Sequence, residues 1–138
     1  MEKSLMLKEK FLNEFGLEEQ DLRTYSPLTL AYIGDAIFEL VVRTVLVERK
    51  NTQAEKLHKA ATKIVKAETQ ALMIEAIKEE LTEEELAVYK RGRNAKSGTM
   101  AKNATMVEYR RATGFEALMG YLYLKNEFSR MIELIKIG

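Results

Sequence analysis

Apolar residues recur along this chain every three or four positions, and nowhere do they alternate convincingly enough to suggest a strand. Leu5, Leu7, Phe11, Leu12 and Phe15 begin the pattern, and Gly16 offers its stop. Ser26-Pro27 then supplies an N-cap and a first-turn proline, the usual opening of a helix. The stretch from Leu28 to about Glu48 is apolar on nearly every side. Before Glu48 its only charges are Asp35, Glu39 and Arg43, four apart and therefore on one face. The spacing predicts a buried central helix with one polar stripe. Thr52-Gln53-Ala54-Glu55 reads as a capping box for the next helix, with Leu57, Ala60, Ala61, Ile64 and Val65 inward. The period continues through Ala71, Leu72, Ile74 and Ile77, with a break near Ala67. Thr82-Glu83-Glu84-Glu85 is a second capping box, and its acids complement the dipole of the helix it opens. From Gly92 to Asn103 the period fails in a loop rich in Gly, Asn and Ser. A long helix from about Met106 to Leu124 and a short amphipathic one from Glu127 to Ile137 close the chain. The expected fold is all-α, about six to seven helices around a central buried helix, most simply one domain over residues 1–138.

Composition narrows the chemistry. There is no cysteine, which removes disulfides and thiolate metal sites, and one histidine, His58, too few for a histidine-based zinc site. His58 reads as a helix-surface or half-buried residue rather than a base. Any bound metal would meet oxygen ligands, which favours magnesium, manganese or calcium. The N-terminus carries mixed charges and no apolar run of signal-peptide length, and acids interrupt every later run before it could span a membrane. The expected address is cytoplasmic, with no membrane partner. The net charge of +1 hides a polarity: Lys90, Arg91, Arg93, Lys96, Lys102, Arg110 and Arg111 against Glu108 give residues 90–111 a net +6, leaving −5 elsewhere. Such polarity points to a polyanionic partner at one face.

Two acids then stand out. Asp35 lies in Leu30-Ala31-Tyr32-Ile33-Gly34-Asp35-Ala36-Ile37-Phe38, and Glu116 is the only charge between Ala112 and Leu124. Burying an unpaired carboxylate is costly and favours its protonated form. Spacing alone divides evenly between two solvated polar stripes and two acids sharing a divalent cation.

The surrounding residues shift that balance. Ile33-Gly34-Asp35-Ala36-Ile37-Phe38-Glu39-Leu40 resembles the first signature of the ribonuclease III catalytic domain. Phe115-Glu116-Ala117-Leu118-Met119-Gly120-Tyr121-Leu122-Tyr123-Leu124 resembles its second. Together with Arg91-Gly92-Arg93-Asn94-Ala95-Lys96 and Tyr109-Arg110-Arg111-Ala112-Thr113-Gly114, they are closest to Mini-ribonuclease III, the bacterial form without an appended double-stranded-RNA-binding domain. The resemblance runs from about Leu28 to Leu124 and leaves the N-terminal helical segment, residues 1–25, outside it. Standard members carry two further acids, four residues before the Asp and three before the Glu. Here those positions are Ala31 and Thr113.

The resemblance implies an endoribonuclease that cuts both strands of double-stranded RNA, leaving 5′-phosphate and 3′-hydroxyl ends, in maturation of the 23S ribosomal RNA precursor. It makes Asp35 and Glu116 the ligands of a magnesium ion, replaceable by manganese, which activates the attacking water. Water would fill the room left at Ala31 and take a hydrogen bond from Thr113, with Glu39 orienting water or pairing with Arg43. Arg91, Arg93, Asn94, Lys96, Ser97, Thr99, Lys102, Arg110 and Arg111 would hold phosphates and 2′-hydroxyls. Tyr32 either packs across a homodimer interface, as an aromatic does there in the resembling family, or belongs to the core of one chain. The rival reading is a non-catalytic RNA-binding or ribosome-associated helical domain that kept the fold. Asp35 and Glu116 argue against it, and the two missing acids argue for it.

Overall fold

A computed structural model of the chain describes residues 2–95 and 105–137. Among them are seven α-helices and no strand: α1 (Glu2–Glu14), α2 (Pro27–Arg49), α3 (Ala54–Val65), α4 (Ala67–Ile77), α5 (Glu83–Asn94), α6 (Met106–Leu124) and α7 (Phe128–Ile137). Short 3₁₀ turns cover Leu22–Thr24 and Lys78–Glu80.

Local chemistry explains most boundaries. Gly16 ends the first helical segment with φ +66°, a region that favours glycine. The Ser26 hydroxyl accepts from the Thr29 amide at 3.1 Å and Pro27 takes the first turn of α2. Extended backbone at Lys66 separates α3 from α4, beside the expected break at Ala67. At α5 the capping box closes in both directions: Glu85 N–H donates to Thr82 Oγ1 at 3.1 Å, and Thr82 N–H to Glu85 Oε1 at 2.9 Å.

Three details differ from the sequence reading. The box expected at Thr52 does not form, because α3 begins at Ala54 with Gln53 as an N-cap lacking a side-chain bond. Thr52 is thus one residue too early to reach the first-turn amides. A box that the sequence reading passed over does form at Thr105 and Glu108, opening α6. The helix α5 runs on to Asn94, beyond the expected start of the loop at Gly92, because Gly92 packs against Gly114 and Ala117 of α6.

The central helix is α6. Eleven of its nineteen residues are buried, from Ala112 through Tyr123, with α2, α4 and α5 as its principal neighbours. The apolar stretch of α2 buries only one side, through Leu30, Ala31, Gly34, Ile37, Phe38 and Val42. Its other side leaves Leu28, Leu40 and Val47 exposed, and Tyr32 is 82% accessible. The core alternative for Tyr32 is therefore corrected: it projects into solvent from α2.

Gly34 and Gly120 bring α2 and α6 into backbone contact. A Cβ on Gly34 would lie 1.7 Å from the carbonyl oxygen of Glu116, and one on Gly120 would lie 2.0 Å from the carbonyl oxygen of Leu30. Phe38 and Phe115 seal the crossing edge to face, with ring centroids 5.1 Å apart. On the far side, Arg130 of α7 holds buried Glu85 at 2.8 and 2.9 Å and also donates to the Glu80 carbonyl at 2.7 Å. A Lys8 ammonium bound to the Leu124 carbonyl and to Glu19 ties α1 to the body.

Neither backbone can yield at the crossing, so Gly34→Ala and Gly120→Ala are expected to destabilise by about 3 kcal/mol or more, the upper end for overpacked interiors. Gly16→Asn, at a left-handed turn with nothing within 4 Å of an added Cβ, should change stability little. Urea unfolding of the three variants checks this; a Gly34→Ala protein as stable as the parent contradicts the backbone contact.

Candidate active site

Asp35 follows Gly34 on α2, and Glu116 is the residue whose carbonyl Gly34 overlies. The crossing therefore sets these two acids side by side, Asp35 exposed and Glu116 half-buried. Their proximity is visible in the titration of Glu116, which is pushed up to about 8. Burial is the largest cause; the negative charge of Asp35 and a hydrogen bond with it push the same way. Gln70 of α4 acts in the opposite sense, favouring the ionised carboxylate. Three helices thus contribute one polar side chain each to a single junction.

Gln70 was not singled out in the sequence. It is 1% exposed, and its amide nitrogen is the buried side-chain atom left without a hydrogen-bond partner among the described residues. The signal was present: Gln70 falls in phase with Met73, Ile74 and Ile77 on the inward face of α4, where the period calls for an apolar residue.

The other expected site residues divide into those near this junction and those outside the described residues. Ala31 is buried one turn before Asp35 and adds no donor. The hydroxyl of buried Thr113 donates to the Tyr109 carbonyl at 3.0 Å, within its own helix. Glu39 pairs with Arg43 one turn along. Arg91 and Asn94 are exposed at the end of α5, while Arg93 lies over the Tyr89 ring at 5.7 Å and donates to Asn94 at 3.2 Å. Arg110 is exposed near the start of α6, and Arg111 is bridged to Glu75 of α4 at 3.2 Å. The two helices run antiparallel, since Gly92 meets Gly114 and Ala117 while Glu84 meets Lys125. The basic ends therefore lie together, about 9 Å along the α6 axis from Glu116 at 1.5 Å per residue. Lys96, Ser97, Thr99 and Lys102 lie outside the described residues.

Among the described residues no three His, Cys, Asp or Glu side chains converge as a metal site. The donor set is two carboxylates. Hard oxygen donors that repel one another, with no cationic side chain among the described residues bonded to either and an unpartnered amide beside them, fit a hard divalent ion that keeps several waters.

The profile of the Ribonuclease III domain matches residues 28–127. The chain belongs to the ribonuclease III family. The Mini-ribonuclease 3 of Clostridium tetani is 48% identical over 95% of this chain and 87% of its own length. That of Thermoanaerobacter sp. is 46% identical over 100% of this chain and 96% of its own, so this alignment includes the N-terminal segment that the profile leaves out. The Mini-ribonuclease 3 of Enterococcus faecalis is 51% identical over 84% of this chain and 89% of its own. A crystal structure of a Fusobacterium nucleatum protein superposes with a TM-score of 0.79 at 34% identity, covering 86% of this chain and 96% of that one. This ribonuclease III family chain is an endoribonuclease, and the all-α fold expected from its hydrophobic period is the fold it has. No helix among the described residues is long and apolar enough to cross a membrane.

Glu116 keeps its proton in the folded chain up to about 8 but releases it near the ordinary 4.5 when unfolded, so its burial penalises the fold increasingly as the pH rises between the two values. That penalty is absent below the ordinary value and complete above the raised one. In metal-free buffer the melting temperature should therefore fall as the pH rises from about 4.5 to about 8 and level off above that, and Glu116→Gln should fall less. Parallel melting curves check this; equal slopes contradict the assignment of the raised group.

Proposed function

We propose that this endoribonuclease hydrolyses double-stranded RNA in a magnesium-dependent reaction, with manganese able to substitute. It acts as one catalytic domain per chain and as a homodimer in a bacterial cytoplasm, on the precursor of 23S ribosomal RNA. The observation that carries the proposal is the convergence of Asp35 and Glu116 at the α2–α6 crossing, exposed on the Asp35 side and close to the basic ends of α5 and α6.

Each residue then has a task. Asp35 and Glu116 hold the cation, whose bound chemistry is to polarise the phosphodiester and supply an acidified water. Exposed Asp35 leaves one side of the pair open to a backbone phosphate, while half-buried Glu116 anchors the other. Arg91, Arg93 and Arg110, with Asn94 and the paired Arg111, attract the phosphates of the duplex and set its register without reading bases. A-form RNA presents its shape and 2′-hydroxyls to such a surface, so sequence preference is weak. Lys96, Ser97, Thr99 and Lys102, outside the described residues, share this RNA-binding role, while Thr113 and Glu39 help to orient solvent around the pair. The products carry 5′-phosphate and 3′-hydroxyl ends.

The exposed apolar side of α2 supports the dimer. Leu28, Tyr32 and Leu40 are spaced to lie on one face of the helix, and apolar groups in such a row mark a contact surface. Symmetric pairing would carry two metal centres, one for each strand. A purely RNA-binding role would have no use for a like-charged acid pair at the tightest point of the fold.

Incubated with long double-stranded RNA and magnesium, the parent should cut, while Asp35→Asn and Glu116→Gln should be slower by more than about 100-fold, the upper range for losing even an indirect metal contact. Cutting by both variants at the parental rate contradicts the assignment. Sedimentation should give the parent twice the chain mass and Tyr32→Arg the mass of one chain; a parent of single-chain mass, or a variant still paired, removes α2 as the interface.

A further inference from the structure

An amide nitrogen buried without a partner is expensive, at about 1–3 kcal/mol. Gln70 carries such an atom at a position where leucine or methionine would fill the same space at no such penalty. Its neighbours on the inward face of α4 are Met73, Ile74 and Ile77, none of which can accept a hydrogen bond of ordinary strength. The acceptor beside it is the carboxyl of Glu116, across the packed α4–α6 contact.

We propose that Gln70 is a positioning residue of the Asp35–Glu116 site, its amide donating to the Glu116 carboxylate when a divalent cation is bound. The inference rests on the reading of that pair as a metal site. A carboxylate has about four lone-pair positions, and those turned away from a cation need donors when they are out of water. An amide is suited to that position because it is a neutral donor. An arginine or lysine there would satisfy Glu116 equally well, but its charge would oppose the cation. Gln70 can only donate through its nitrogen, so it directs one carboxylate oxygen toward α4 and leaves the other facing Asp35. With acids absent at positions 31 and 113, the site has two carboxylates in which to hold its geometry, and the orientation of each one matters more.

The test separates metal binding from folding. Manganese binding is measured by calorimetry on metal-free parent, Gln70→Met, Gln70→Leu and Asp35→Asn, with the melting temperature of each metal-free protein alongside. Both Gln70 variants should bind manganese about 10- to 100-fold more weakly, the usual effect of losing a partner that orients a ligand. Their metal-free melting temperatures should equal or exceed the parent's, because the unpaired donor is gone. Parental affinity in either variant overturns the proposal. So do melting temperatures well below the parent's in both, which would make the amide a structural contact of the empty fold. A parent that binds no manganese, or an Asp35→Asn protein that binds it as tightly, instead removes the metal site itself.

Discussion

Two glycines touch across α2 and α6, and the site depends on that contact. Helix axes normally stand 8–10 Å apart because side chains hold them there. At Gly34 and Gly120 there is no side chain, and backbone atoms of one helix occupy the space that a Cβ of the other would need. The approach draws in the residues on either side of it. Asp35 and Glu116 become neighbours although eighty-one positions separate them in sequence. With α2 seated this close, α4 and α5 enclose the rest of α6 and make it the core of the molecule.

Two glutamates on this framework meet opposite fates, which shows what the site lacks. Glu85 is buried, but Arg130 and the Thr82 amide satisfy it, and its carboxyl is held below the ordinary range. Glu116 has a second acid beside it instead, and its carboxyl is raised. Evolution of a stable fold alone would favour the first arrangement, since a like-charged pair is unfavourable until something positive joins it. The missing positive charge is not supplied by the basic residues of α5 and α6. Arg111 goes to Glu75 and Arg93 to the Tyr89 ring, and Arg91 and Arg110 face solvent. On the proposed reading, those charges serve a polyanion at the surface and the acid pair serves a cation.

Much of this was legible in the sequence, for identifiable reasons. Helical period and capping chemistry are local, so the ends of α2, α5 and α6 could be read within a few residues, and the paired signatures around Asp35 and Glu116 pointed to the family. What escaped was tertiary. That α6 rather than α2 is central could not be read from hydrophobicity, because the apolar surface of α2 divides between the core and an exposed face carrying Tyr32. Gly92 reads as the start of a loop unless one knows that α6 passes within contact of it. Gln70 looked like one more polar residue on a helix; only its burial beside Glu116 gives it meaning.

The central claim is that the Gly34–Gly120 crossing exists to let Asp35 and Glu116 share one kind of ion. Anomalous diffraction from crystals equilibrated with manganese above the raised titration of Glu116 addresses it directly. The account requires a manganese peak within bonding distance of a carboxylate oxygen from each residue. Manganese bound elsewhere, or on one acid while the other turns away, contradicts it.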